Sequence, residues 1–278
     1  MAEVGKLVPI GIISRNRIHY LDVTLRSLSA TRLPEAVPLT VFDDASDTTE
    51  ARTYYTTARG TGSEHKWPQH AMWKKLGLDV INKSAKPPVG LRGRVGVVRL
   101  GKKPAGVVNA SCQAVCRMFD KYPDAPGVIL LQDDVIFKED WYERLTQVAA
   151  DELLFAKPLA ILSGLHLNKK IKNCDKQRVR EGGITAQCLY VTREGFTTLD
   201  NFFRRKHNTK QKFDDQLKKA ASRNGLWAGL LVPFVCQHFG VVSLVRPRRT
   251  WHRGSKGRIG FYVNPPYAMA DSVKAFKG

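Results

Sequence analysis

No run of 18 or more apolar residues occurs in the sequence, which excludes a transmembrane helix of ordinary length. The opening segment, MAEVGKLVPIGIISRNR, leads into a strand-like stretch without an apolar signal core. A soluble, cytoplasmic protein with no stable membrane insertion is the expectation. Cysteine is sparse: Cys112, Cys116, Cys174, Cys188 and Cys236 are odd in number, and no CxxC pair or zinc-ligand spacing links them. That excludes a disulfide framework and a structural zinc site. Cys112 and Cys116, four apart in an apolar helical pattern, read as core residues rather than nucleophiles. Acid is scarce as well, with 25 Asp and Glu against 45 Lys and Arg, so the formal net charge is +20.

What is present makes a folded chain. Hydrophobic residues form 43% of the sequence and aromatics 9%, which excludes intrinsic disorder. At 278 residues the chain can bury a sizeable core. The positive charge is unevenly spread. Residues 1–150 carry 21 basic and 16 acidic side chains, whereas residues 151–278 carry 24 and 9. An excess of this kind points to a polyanionic partner such as nucleic acid, anionic lipid or an acidic glycan.

Periodicity predicts buried strands at residues 7–14 and 38–43, with Leu21, Leu25 and Leu28 at helical spacing between them. A third strand is expected at 95–100. It precedes a helix with Val108, Cys112, Val115 and Phe119 on one face, and a fourth strand follows at 127–132. Strands alternating with helices imply an α/β fold with a mostly parallel sheet. Segment 51–94 breaks this rhythm and reads as part helix, part long loop. Downstream, an amphipathic helix is predicted at 141–155 and strands at 159–163 and 186–192, separated by a basic loop at 168–183. Phe213, Leu217, Ala220 and Ala221 make a further helical face. Residues 230–240 read as strand and turn, and 246–260 as a basic tail. No linker stands out, so one domain is expected.

Two acidic pairs carry the chemistry. In VILLQDDVIF, Asp133 and Asp134 interrupt a wholly apolar strand, where unpaired charge is costly. They must emerge at the strand end, where ligands of open α/β sheets bind, or meet a cation. A hard divalent ion with a diphosphate would neutralise them. A helix cap for the segment from Lys138 is the alternative. In LTVFDDAS, Asp43 and Asp44 close an earlier strand. There a carboxylate can accept a nucleobase N–H or ribose hydroxyls, or form an Asx turn.

In their order these motifs resemble the GT-A glycosyltransferases, especially inverting, family 2-like enzymes that use nucleotide sugars. IGIISRNR with LDVTLRSL looks like their opening strand and helix, and LTVFDDASD like the strand ending in nucleotide-binding aspartates. RLGKKPAGVVNASCQAV is similar to the segment bearing an Asn-containing helix under the nucleotide, here Asn109. LLQDDV stands where the family has its metal-binding acidic motif, though it is not a literal Asp-x-Asp. The resemblance, over roughly residues 8–240, implies a Rossmann-like sheet flanked by helices. It assigns residues 1–150 to the nucleotide sugar, 151–245 to acceptor and catalysis, and 246–278 to a basic tail.

It also implies residue roles. Asp134 is the ligand of a divalent metal, Mn or Mg, and Asp133 supports sugar or nucleotide. GGITAQCLYVTREGF resembles the acceptor-side loop and strand, and the catalytic base after it falls on Asp215, with Asp214 as the close alternative. Either can equally cap its helix. VPFVCQHFG resembles a late segment that supplies a metal-binding histidine, His238. A structural role is the alternative there. Arg15 in the first loop can approach a base or phosphate. The donor is expected to be a UDP-sugar, and no obligate protein partner is inferred.

Basic, aromatic-rich segments flank both chemical motifs. Arg204, Arg205 and Lys206 precede the candidate base, and Arg248, Arg249, Trp251 and Arg253 follow His238. Such groups suit phosphate contacts and base stacking. The expected acceptor is a hydroxymethylated pyrimidine in bacteriophage DNA, with a flipped base presenting its hydroxyl, which would place the enzyme in the host cytoplasm. An envelope glycan or lipid acceptor, or a non-catalytic nucleic-acid-binding protein on the same scaffold, are the competing readings.

Overall fold

A computed structural model describes residues 7–48, 94–165, 179–207 and 211–238. Segment 51–93, most of the 168–183 loop with Cys174, and the tail carrying Arg248, Arg249, Trp251 and Arg253 lie outside the described residues. Strands β1 (Ile10–Ser14), β2 (Leu39–Asp43), β3 (Val95–Arg99), β4 (Gly127–Gln132), β6 (Leu159–Ser163), β7 (Val179–Glu181), β8 (Cys188–Thr192) and β9 (Trp227–Leu231) form one sheet. Their order is β3-β2-β1-β4-β8-β6-β9-β7. All but β8 and β7 run one way, because β8 is antiparallel to β4 and β6 and β7 is antiparallel to β9. A separate two-stranded ribbon pairs β5 (Val135–Phe137) with β10 (Cys236–His238). This is the α/β architecture that the alternating apolar segments predict.

The inner strands are apolar at nearly every position because both faces are covered. Ile10, Ile12, Leu39, Val41, Ile129 and Leu131 join one core with helices α1 (Ile18–Ser29) and α3 (Trp141–Ala150). Ile13, Phe42, Val128 and Leu130 point the opposite way, as the two-residue period of a strand requires. They pack with α2 (Val107–Lys121), α4 (Arg193–Thr198), α5 (Asp200–Arg204) and α6 (Phe213–Arg223). Val108, Cys112, Val115 and Phe119 all face this second core. Burial pushes the Cys112 thiol up to about 12 and that of Cys116 up to about 11, in keeping with packing rather than nucleophilic roles. Among the described residues no helix is long and apolar enough to cross a membrane.

Some elements depart from the periodicity. The helix expected to reach residue 155 stops at Ala150, and a single 3-10 turn, Glu152–Leu154, follows with Leu153 97% exposed. The expected strand and turn at 230–240 are two strands, β9 and β10, belonging to different sheets. The basic loop holds β7 on the sheet edge, where Val179 is half-buried and both Arg180 and Glu181 are exposed.

Close approach rather than periodicity explains Gly195. It lies in α4, where Thr192 Oγ1 accepts its N–H at 2.9 Å, and a Cβ there would stand 2.5 Å from the Ala160 Cα in β6. Gly195→Ala should therefore lower stability by about 1–3 kcal/mol or more, since main chain has to move to admit it. Thermal unfolding provides the check, and an unchanged Tm would contradict the packing.

Candidate active site

The acidic pair lies in the two-residue turn between β4 and β5, at the carboxyl edge of the parallel strands. The helix-cap alternative is not what forms, because Asp133 and Asp134 are followed directly by a strand. Helix α1 braces this turn from below. Thr24 Oγ1 donates to the Asp133 carbonyl at 2.9 Å and accepts the Val135 N–H at 3.1 Å, while Ser27 Oγ accepts the Phe137 N–H at 2.8 Å. Both hydroxyls are buried. Their positions in LDVTLRSL therefore serve β5 as well as the helix.

The carboxylates are almost fully enclosed, Asp133 at 2% and Asp134 at 3% exposure. Arg17, which immediately precedes α1, spans both. Its Nη1 donates to Asp133 Oδ1 at 2.8 Å and its Nη2 to Asp134 Oδ2 at 2.6 Å. The guanidinium also lies over the Tyr20 ring, 4.3 Å from its centroid. Ser14 Oγ donates to Asp133 Oδ2 at 2.9 Å, so both oxygens of Asp133 are engaged. Asp134 differs, because its Oδ1 is buried with no hydrogen-bond partner among the described residues.

His238 reaches this centre through strand pairing. In the antiparallel ribbon His238 stands opposite Val135, and its Nε2 lies 3.0 Å from Asp134 Oδ2. The two motifs, about a hundred residues apart in sequence, are thus brought together. Burial, the largest influence on Asp133, pushes its carboxyl up to about 7 against the pull of Arg17. Asp134 feels the same burial, yet Arg17 and His238 outweigh it and hold this carboxyl well below the ordinary range. Burial works against the Arg17 charge, but the two aspartates prevail and keep it firmly protonated. Of the two carboxylates beside the guanidinium, Asp134 is thus the one held more firmly in its charged form.

Among the described residues no group of three or more His, Cys, Asp or Glu is placed to hold a metal. One oxygen is nevertheless unpartnered, Asp134 Oδ1, and the His238 imidazole, whose Nε2 contacts Asp134 Oδ2, lies beside it and could turn to a cation there. A hard divalent cation bound with a nucleotide typically takes one or two protein ligands and fills its remaining positions with phosphate and water. The residues fit such an ion, with Asp134 as the anionic ligand.

The second acidic pair is tied to the backbone. Asp43 Oδ1 accepts the Ser46 N–H at 2.9 Å, which is the Asx-type turn. Asp44 accepts the Ala105 and Gly106 N–H groups at 2.6 and 3.1 Å and so fixes the start of α2. Gly106 takes a φ of +78° there, a conformation glycine permits without strain. Asn109, one turn into α2, accepts the His207 N–H at 2.8 Å, and His207 Nδ1 lies 3.1 Å from Gln216 Oε1 in α6. A continuous set of polar contacts thus runs from Asp44 to the first turn of α6, which contains Asp214 and Asp215. Asp215 is exposed, and its N–H donates to Asp214 Oδ1 at 3.1 Å. Asp214 is partly buried, and that burial, with Asp215 beside it, raises its carboxyl.

Of the basic candidates, Arg204 is engaged with Asp200 at 2.6 Å and Asp120 at 3.3 Å, and Arg205 lies over the Phe202 ring. Lys206 is exposed. Arg15, the arginine singled out from the sequence, makes no contact with the acidic turn among the hydrogen bonds and ion pairs of the described residues, and its buried Nε is unpartnered. Arg17 makes that contact instead. Two arginines flank Asn16 in SRNR, and the sequence offers no signal to separate them. The distinction is made by Asn16, whose φ of +51° turns the chain between them while its side chain bonds Asp47.

The sequence matches no family model and no curated protein. The fold, by contrast, has solved counterparts. It is similar to TarS 1–349 from S. aureus in complex with UDP-GlcNAc, with a TM-score of 0.50 at 14% identity over 83% of this chain and 57% of that one. It is also similar to the mannosyltransferase PcManGT from Pyrobaculum calidifontis in complex with GDP-Man and Mn2+, with a TM-score of 0.53 at 13% identity over 84% and 57%. The chain spans little more than half the length of those two structures. The fold is that of the GT-A glycosyltransferases. Both counterparts hold a nucleotide sugar, and one of them also holds Mn2+.

Proposed function

We propose that this chain is a nucleotide-sugar glycosyltransferase whose donor site is the edge of the sheet around Asp134. The observation that carries the reading is the meeting of Asp134, with its unpartnered buried oxygen, and His238 at the carboxyl ends of β1 and β4. In an open α/β sheet that edge is where ligands bind. The likeness to folds holding UDP-GlcNAc and GDP-Man with Mn2+ supports a UDP- or GDP-sugar and a divalent metal, with a UDP-sugar preferred.

Asp134 and His238 would hold the cation, which when bound supplies charge compensation at the departing diphosphate. Asp133, Asp43, Asp44 and Asn109 shape the donor floor, three of them by fixing backbone around it. Asp215, with Asp214 as alternative, accepts the proton of the incoming hydroxyl on the far side of the sugar from the diphosphate, which gives inversion. The acceptor reading rests on charge. Residues 151–278 hold 24 basic against 9 acidic side chains, which favours a polyanion, and a hydroxymethylated pyrimidine in phage DNA offers the required hydroxyl.

The test is a donor-by-acceptor screen with the full chain, Mn2+, UDP- and GDP-sugars, and three acceptor sets, DNA with or without hydroxymethylpyrimidine, glycans and lipids, each product read by mass spectrometry. Addition of one sugar to the modified base alone is the expected outcome. Transfer to a glycan or lipid acceptor would leave the enzyme class standing and replace the acceptor. Absence of both donor hydrolysis and a nucleotide-dependent thermal shift would overturn the class itself.

A further inference from the structure

Among the described residues Arg17 is the one arginine or lysine paired with the acidic turn, and it occupies Asp134 Oδ2 on the very residue assigned to the metal. Its side chain is only 15% exposed, lies over Tyr20, and grips two carboxylates with the two ends of its fork. A guanidinium cannot discharge at any accessible pH. A dication arriving at Asp134 therefore meets a fixed positive charge and a partly occupied ligand, whereas a diphosphate offers the same fork two anionic oxygens in a geometry it matches. The Arg17 Nε, buried and without a partner, adds a third donor.

Building on the donor-site reading, we propose that Arg17 is an internal counter-cation that blocks divalent metal binding to the nucleotide-free protein and moves onto the donor diphosphate when metal and nucleotide bind together. It acts as a positioning residue that couples the two ligands. In the free protein it neutralises the buried pair, which would otherwise repel itself. Metal alone must bind against it. Once a diphosphate is present, the guanidinium exchanges its Asp134 contact for phosphate oxygens, and the carboxylate is released to the metal. Linkage makes this reciprocal, so nucleotide tightens metal by the same factor that metal tightens nucleotide.

The experiment is Mn2+ binding to the full chain, followed by electron paramagnetic resonance with and without saturating UDP. The wild type, Arg17→Gln, Arg17→Lys and Asp134→Asn are compared, with near-UV circular dichroism as the folding control. For the wild type, UDP should tighten Mn2+ by a factor within about 5–150, the usual span of coupling between sites. Arg17→Gln should bind Mn2+ alone about 10-fold more tightly than the wild type and lose a matching part of the UDP effect. Arg17→Lys, with one ammonium in place of the fork, should fall between the two, and it decides the matter if the Gln variant does not fold. A merely structural arginine would not improve metal binding on removal. Mn2+ affinity unchanged or weakened in both folded Arg17 variants, while Asp134→Asn abolishes it, would overturn the proposal and leave the donor site intact. If no protein binds Mn2+ even with UDP, the metal assignment falls, and this inference falls with it.

Discussion

Asp134→Asn is expected to lower sugar transfer by about 10²–10³-fold or more, the scale at which loss of a group that stabilises transition-state charge shows itself. The amide cannot act as an anionic cation ligand, so Mn2+ dependence should weaken along with kcat. The fold should survive. Breaking a fully buried ion pair costs about 3–5 kcal/mol when it leaves a charge uncompensated, but Arg17 keeps its 2.8 Å contact with Asp133, so the loss should be smaller. Acid behaviour gives an independent reading. Arg17 and His238 hold the Asp134 carboxyl below its unfolded value, so its contribution is present above about pH 4 and is lost as the pH falls further. In the Asn variant there is no such contribution to lose, and the acid limb of the Tm profile should flatten. Wild-type turnover in Asp134→Asn would remove the basis for placing the donor at this edge.

Asp215→Asn should reduce kcat by about 10²–10⁴-fold while leaving the donor KM in place, because a positioned base acts on the acceptor proton rather than on donor binding. Asp214→Asn should have the smaller effect. Its Oδ1 accepts the Asp215 N–H, so its loss chiefly loosens the first turn of α6. The opposite ranking would move the base to Asp214, whose carboxyl is raised by burial and so better matched to proton transfer near neutrality. If donor affinity fell as far as kcat in both variants, the base role would fail for the pair.

The sheet was largely legible because its inner strands are buried on both faces and read as continuous apolar runs. β4 and β6 fall within the bounds that pattern sets, and β1 and β2 start only a little later than it predicts. β5, β7 and β10, at three residues each, are too short for any period to register. The acidic turn was visible because two carboxylates in an apolar segment demand an explanation. The reach of His238 to Asp134 was suggested by resemblance alone, since it depends on the register that sets His238 against Val135, which composition does not encode. Arg17 was missed. Its importance comes from the sharp turn at Asn16, a backbone property that two identical neighbouring side chains do not advertise.

The hydroxyls of Thr24 and Ser27 have a consequence beyond holding the acidic turn. Along β5 the N–H groups of Val135 and Phe137 point to α1, while that of Lys138 points to Val235 beside β10. A two-stranded ribbon ordinarily leaves an outer rim of amides that a foreign strand can extend. On the β5 side that rim is sealed by side chains of a helix, so this short ribbon offers no template there for association between molecules, even though it is not part of the main sheet.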